Sequence, residues 1–82
     1  MFYVYALKSE KFNYIYVGMT NDLERRLSQH NKGFNRSTKP YVPFVRFYSE
    51  KFASRQEARN REKFLKNASG KRFLKTLLAN YS

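Results

Sequence analysis

Phe2-Tyr3-Val4-Tyr5-Ala6-Leu7, then Tyr14-Ile15-Tyr16-Val17-Gly18-Met19, then Asn21-Asp22-Leu23-Glu24-Arg25-Arg26-Leu27-Ser28-Gln29-His30: the reading of these three stretches decides the fold. The first two are apolar or aromatic almost throughout, as expected of strands covered on both faces. Ser9 to Asn13 between them is polar enough to turn, so the simplest connection is an antiparallel hairpin. Side chains alternate along a strand, which puts Tyr3 and Tyr5 on one face of the first and Tyr14 and Tyr16 on one face of the second. The third stretch, capped by Thr20 or Asn21, is a helix. Its Leu23, Leu27 and His30 recur at i, i+4, i+7, and Arg26 stands one turn before His30.

Working outward, residues 31 to 43 hold Gly33, Pro40, Pro43, three basic side chains and several short polar ones. This is a long loop for so small a domain, which favours a functional role. A third strand, Phe44 to Tyr48, follows. Ser54-Arg55-Gln56-Glu57 fits a capping box and opens a second helix, with Ala58, Leu65 and Ala68 on its inner face. A last helix from about Gly70 presents Phe73, Leu74, Leu77, Leu78 and Tyr81 at helical spacing, which is core packing. The expected architecture is an α/β domain spanning residues 1–82: a small three-stranded antiparallel sheet, first strand central, flanked by three helices.

Size and charge narrow the possibilities. A chain of 82 residues can bury only about 60% of the surface its unfolded form exposes, so its seven Tyr and eight Phe must supply the core. There is no cysteine, which excludes disulfides, thiolate metal sites and a thiol nucleophile. The net charge of +11 and pI near 10.2 attract polyanions, of which nucleic acid is the commonest inside cells. The opening residues resemble no secretory leader, and no apolar run approaches the roughly 20 residues that span a bilayer. The expectation is a soluble, cytoplasmic protein that does not engage membranes.

Several residues have both a bland and a functional reading. Glu62 follows Ala58 by four positions and precedes Leu65 by three, so it shares their inward stripe, where a carboxylate is costly unless paired or metal-bound. Periodicity alone favours an ion pair at the edge of that stripe; the inward polar pair Arg26 and His30 on the first helix favours a metal. Tyr5 and Tyr16 in an arbitrary protein would be core aromatics. Gly18 near the end of its strand marks a bulge or a tight exit, or lets a phosphate approach the backbone. His30 complements a helix dipole on the simplest view. Lys32, Arg36 and Lys39 are solvated loop charges or a surface that binds a phosphate backbone.

Taken in order, these residues resemble the GIY-YIG nuclease family over nearly the whole chain, most closely its small standalone members, which are related to the nuclease domain of the excision-repair endonuclease. Tyr3-Val4-Tyr5 stands at the first motif, with Tyr3 in place of its glycine, and Tyr16-Val17-Gly18 matches the second. The resemblance implies a metal-dependent endonuclease that hydrolyses phosphodiester bonds in nucleic acid, DNA more than RNA, in a structure-selective manner and with a link to DNA repair. It implies that Arg26 contacts the scissile phosphate, that Tyr5, Tyr16 and His30 are catalytic, and that Glu62 holds one Mg²⁺ or Mn²⁺. Gly18, Lys32, Arg36, Ser37 and Lys39 are the implied nucleic-acid-binding set; Ser37 or Thr38 stands where many small members carry a loop tyrosine. Met19 replaces the lysine that follows the second motif in the excision-repair branch. The alternative is a module of the same fold that binds nucleic acid and cuts weakly or not at all. A ribosome- or RNA-associated structural protein would explain the charge but not the ordered residues. Tyr5, Tyr16, Arg26, His30 and Glu62 are expected to converge on one concave surface.

Overall fold

Four consecutive residues of the first strand, Val4, Tyr5, Ala6 and Leu7, are almost wholly removed from solvent, which only a central strand with layers on both faces can achieve. The structure is a computed structural model that describes residues 1–81, the Tyr81 side chain excepted. Its elements are β1 (Phe2–Ser9), β2 (Ile15–Thr20), α1 (Leu23–Asn31), β3 (Phe44–Phe52), α2 (Arg55–Lys66) and α3 (Ala68–Tyr81). A short 3₁₀ turn, Lys39–Tyr41, lies in the segment before β3. The sheet is antiparallel in the order β2-β1-β3, with Tyr5 opposite Gly18 and Leu7 opposite Tyr16. Three antiparallel strands and three helices agree with the expected architecture.

The alternation of β1 splits the core in two. Val4 and Ala6 meet Val17, Phe47, Ala58, Leu65 and Leu74, so α2 and α3 cover one face. Tyr5 and Leu7 meet Phe44, Tyr14, Tyr16, Leu23 and Leu27, so α1 covers the other. The segment between α1 and β3 is tied down on that second face. Asn31 accepts from the Phe44 amide at 2.7 Å and donates to its carbonyl at 3.3 Å, as a neighbouring strand would. The Tyr41 ring stacks on Tyr14 with centroids 4.0 Å apart.

Several boundaries differ from the sequence-based expectation, each for a local reason. Asp22 caps α1, its carboxylate accepting from the Arg25 amide at 3.1 Å, while Thr20 accepts from the Asp22 amide. β3 runs on to Phe52 because β1 offers partners as far as Phe2, although the polar residues Ser49 to Lys51 carry no strand pattern of their own. Ser54 does cap α2, accepting from the Glu57 amide, but Glu57 returns to the Ser54 hydroxyl at 2.9 Å and not to its amide. Ala68 does not extend the inner face of α2. Asn67 ends that helix and its side chain accepts from the Gly70 amide at 2.9 Å, so α3 begins at Ala68, which is exposed. The expected inward position of Tyr81 lies outside the described side chains. No helix among the described residues is long and apolar enough to cross a membrane.

The α2–α3 corner depends on close backbone contact. A Cβ on Gly70 would overlap the Phe64 carbonyl oxygen and the Leu65 main chain, neither of which can swing aside. Gly70→Ala is therefore expected to destabilise the domain by at least about 2 kcal/mol, read as a lower urea midpoint with an unchanged slope. Substituting the exposed Ser69 by Ala serves as the neutral comparison.

Candidate active site

Tyr5 leaves the middle of β1 towards α1 and crosses directly in front of Gly18, its partner on β2. A Cβ at Gly18 would lie 2.5 Å from the Tyr5 hydroxyl oxygen and 2.9 Å from the Tyr16 ring. The glycine thus makes room for a tyrosine. The expected approach of a phosphate to Gly18 is corrected on that side: the buried space a side chain would need is already filled by Tyr5.

The hydroxyl placed there joins two residues of α1. Arg26 Nε donates to it at 3.4 Å, and His30 Nε2 lies 3.1 Å from it. The other imidazole nitrogen, Nδ1, is 3.1 Å from Thr38 Oγ1, and the Thr38 hydroxyl donates to the Asn35 carbonyl at 3.3 Å. A hydroxyl has one proton, so Thr38 accepts from His30 and the tautomer follows: Nδ1 carries the hydrogen and Nε2 accepts from Tyr5. The chain runs in one direction from Arg26 through Tyr5 to His30 and on to Thr38 and Asn35. His30 and Thr38 are fully buried. Tyr16 completes the cluster, its ring 4.7 Å from His30 and 6.2 Å from Tyr5.

The surroundings fix the protonation states. Burial pushes the Tyr5 hydroxyl up to about 12, with hydrogen bonding from Arg26 acting in the opposite sense. Burial, and then the Arg26 charge, pull His30 down to about 4. Tyr5 therefore keeps its proton and His30 is neutral at pH 7. The Arg26 guanidinium is held above its usual value, chiefly by its hydrogen bond to Tyr5. Its other contact is Nη1 to the Gln29 side-chain oxygen at 3.3 Å. Both acceptors are neutral, and among the described residues no carboxylate pairs with Arg26.

Glu62 does not share this face. Its helix packs on the side of the sheet that carries Val4, Ala6 and Val17, so the expected convergence of all five side chains on one concave surface is not met: Tyr5, Tyr16, Arg26 and His30 meet on the α1 side, with Tyr5 and His30 buried, and Glu62 stands apart from them. Its place on α2 can be deduced. Arg61 reaches β3, 3.3 Å from the Tyr48 hydroxyl and 3.2 Å from the Glu50 carboxylate. The next residue lies about 100° round the helix. Glu62 thus flanks the Ala58–Leu65 stripe on the opposite side, towards the free edge of β2. There it is 19% exposed and 3.2 Å from Lys66. Arg55, at the start of α2, shares a groove with Met19, Thr20 and Asn21, while Leu65 and Lys66 share another with Ile15, Tyr16 and Val17. The helix therefore runs antiparallel to β2, and Glu62 stands level with the middle of that strand.

In the loop, Lys32, Arg36, Ser37 and Lys39 are all exposed. Ser37 donates to the Asn35 side chain at 2.8 Å, and the Thr38 and Lys39 amides both donate to the Asn35 carbonyl, so Asn35 organises the turn that presents these charges. Sequence reasoning singles out neither Asn35 nor Gln29, and it does not separate Thr38 from Ser37. The one signal for them is the run of short polar residues from Asn35 to Thr38, which does not say which hydroxyl turns inward.

Compared with known proteins, residues 1–76 match the GIY-YIG catalytic domain. A UPF0213 protein of Staphylococcus haemolyticus is 40% identical over 76 residues, 92% of each chain. A UPF0213 protein of Clostridium perfringens is 40% identical over 67 residues, 80% of this chain and 71% of its own. The solution NMR structure of a UPF0213 protein from Bacillus halodurans superposes with a TM-score of 0.56 at 31% identity, covering 94% of this chain and 85% of that one.

The depressed His30 value makes stability depend on pH. The unfolded chain takes up this proton near 6.5, the folded one only near 4, so the contribution is complete above pH 6.5 and is lost as pH falls towards 4. Between about pH 7 and about pH 4.5 the unfolding free energy is expected to fall by roughly 2–3 kcal/mol from this group. Urea titrations at the two pH values should show that component in the wild type and lack it in His30→Gln.

Proposed function

We propose, because this chain belongs to the GIY-YIG family, whose catalytic domains are generally nucleases acting on nucleic acid, that it is a divalent-metal-dependent endonuclease that hydrolyses DNA phosphodiester bonds. The observation that carries the proposal is the state of Arg26: a half-buried guanidinium pinned by two neutral acceptors, with no carboxylate among the described residues to compensate its charge. An uncompensated cation at that depth is costly in isolation and is suited to an anion that arrives from outside.

Each neighbour has a distinct task on this reading. Arg26 offers a planar fork to the scissile phosphate, and Tyr5 fixes the plane of that fork through Nε. His30 is a positioning residue. Neutral and locked between Thr38 and Tyr5, it keeps the Tyr5 hydroxyl turned so that its oxygen faces Arg26. Tyr16, with its ring against His30 and its hydroxyl beside both Tyr5 and Arg26, is the group we assign to orient the attacking water. Lys32, Arg36, Ser37 and Lys39 would hold flanking phosphates.

The metal would be held by Glu62. No cluster of three or more His, Cys, Asp or Glu exists among the described residues, which does not suit a fully protein-ligated ion. A lone carboxylate does suit Mg²⁺ or Mn²⁺, since Mg²⁺ keeps several waters and takes one or two carboxylates plus substrate oxygens. In the structure this carboxylate is paired with the Lys66 ammonium at 3.2 Å, the ion pair that periodicity alone favours, and a divalent ion would have to displace it. A divalent ion there would supply charge neutralisation at the phosphate and at the leaving oxygen.

The test is cleavage of a panel of labelled DNA structures with Mg²⁺, with Mn²⁺ and with EDTA. Wild type should cut only with metal, and Glu62→Gln should abolish cleavage while retaining binding. Arg26→Lys should lower the rate by about 10²–10³-fold, since a point charge cannot replace the fork. Removing the Lys32, Arg36 and Lys39 charges should weaken binding equally for unrelated sequences. Equal cleavage by wild type and Glu62→Gln would rule out the metal role, and absence of cutting by wild type on every substrate would leave a binding module of the same fold.

A further inference from the structure

A groove of about 370 Å³ lies between the first half of β2 and the α2–α3 pair, and it shares only Tyr16 with the cluster of Tyr5, Tyr16, Arg26 and His30. Tyr14 and Tyr16 line it together with Ile15 and Val17. β2 is an edge strand, so its residues border the groove along a free edge. The floor is apolar, with Leu65 and Leu74 opposite the strand, and the rim is cationic, with Lys66, Lys71 and Lys75. Lys71 and Lys75 stand one turn apart on the exposed side of α3, and among the described residues neither has an ion-pair partner. Lys66 is paired with Glu62 alone.

An apolar floor under three ammonium groups complements a flat, weakly polar body that carries anions along one side. A nucleobase with its adjoining phosphates has that form, and the +11 chain attracts it at long range. The volume is at the low end of small-molecule sites, which suits one base and not a stacked pair. A base inside a duplex cannot enter without leaving its stack, so the occupant has to be an unpaired nucleotide. The other end of β2 adjoins the second groove, lined by Arg25, Arg26 and Arg55. Between the two, whose centres are about 17 Å apart at roughly 3.3 Å per strand residue, stands Glu62.

We infer that the outer edge of β2 is the track for a single strand of nucleic acid, with an unpaired base seated in the groove rimmed by Lys66, Lys71 and Lys75. The inference rests on the nuclease reading and adds to it the class of substrate: DNA with a single-stranded segment beside the point of cleavage. Arg26 and Glu62 would then act on a phosphate approached along the strand edge, from opposite sides of the sheet.

Fluorescence anisotropy in EDTA, where no cutting occurs, tests this with three labelled DNAs of equal length: a single strand, a blunt duplex and a duplex with one single-stranded tail. Wild type should bind the tailed and single-stranded forms about tenfold or more tightly than the blunt duplex at the same salt. Lys71→Ala/Lys75→Ala, at exposed helix positions where alanine favours the fold, should lose about tenfold on those two forms and less than about twofold on the blunt duplex. Its slope of log affinity against log salt on the single strand should be shallower by about 1.4, the value for two phosphate contacts. A circular dichroism melt matching wild type establishes that the double variant is folded. Equal losses on all three DNAs, or a wild-type preference for the blunt duplex, would overturn the edge track and leave the nuclease reading standing. Binding by wild type to none of the three would overturn both.

Discussion

The Tyr5 hydroxyl occupies the one point where strand, helix and loop have to agree. It fits only because Gly18 on the neighbouring strand has no side chain, and from that position it accepts from Arg26 and donates to His30. Each partner carries the constraint further. His30 ties to Thr38, Thr38 to Asn35, and Asn35 shapes the turn that presents Lys39. The register of β1 on β2, the rotation of α1 and the shape of the loop are therefore set by one another. A slip of one residue between β1 and β2 would turn Tyr5 to the other face and leave the buried His30 without its donor.

Burial and charge act together on this arrangement. Removing Tyr5 and His30 from water pushes one up and the other down, so both are neutral across the physiological range and Arg26 is the lone formal charge of the cluster. Acidic residues are scarce and most are committed elsewhere. Of six, Asp22, Glu24, Glu50 and Glu62 are each in an ion pair, and Glu57 accepts from the Ser54 hydroxyl at the start of α2. Among the described residues most of the seventeen lysines and arginines consequently have no counter-ion, which leaves positive charge exposed along both the loop and the edge of β2. The sheet separates the two chemical halves of the proposed site: hydroxyls and guanidinium on the α1 face, carboxylate on the α2 side. An edge strand is the place at which a substrate could touch both.

Elements whose residues repeat a strong pattern are legible in the amino-acid sequence. The hairpin, the α1 stripe of Leu23, Leu27 and His30, and the Ser54 cap all follow from neighbours along the chain. The differences fall where a distant partner decides. Ser49 to Lys51 have no apolar alternation, yet they are strand because the edge of β1 is available to them. Ala68 has the spacing of an inward stripe, but the Asn67 side chain ends one helix and starts the next. Gly18 has the sequence context of a residue open to phosphate, and nothing along the chain says that the ring filling that space comes from the opposite strand.

By itself the sequence determined the fold class, the family, the polyanion-seeking charge and the identity of the residues in the cluster, since all of these follow from local periodicity, composition and ordered motifs. Only the tertiary structure decided which of those residues share a surface. It placed Tyr5, Tyr16, Arg26 and His30 on one face of the sheet and Glu62 at the flank of a helix on the other, a distinction that depends on which side each helix packs. It also chose Thr38 and not Ser37 as the buried hydroxyl that fixes the imidazole, and so settled the direction of every hydrogen bond from Arg26 to Asn35. Helical spacing names a face, but the layer against which that face lies is a property of the whole chain.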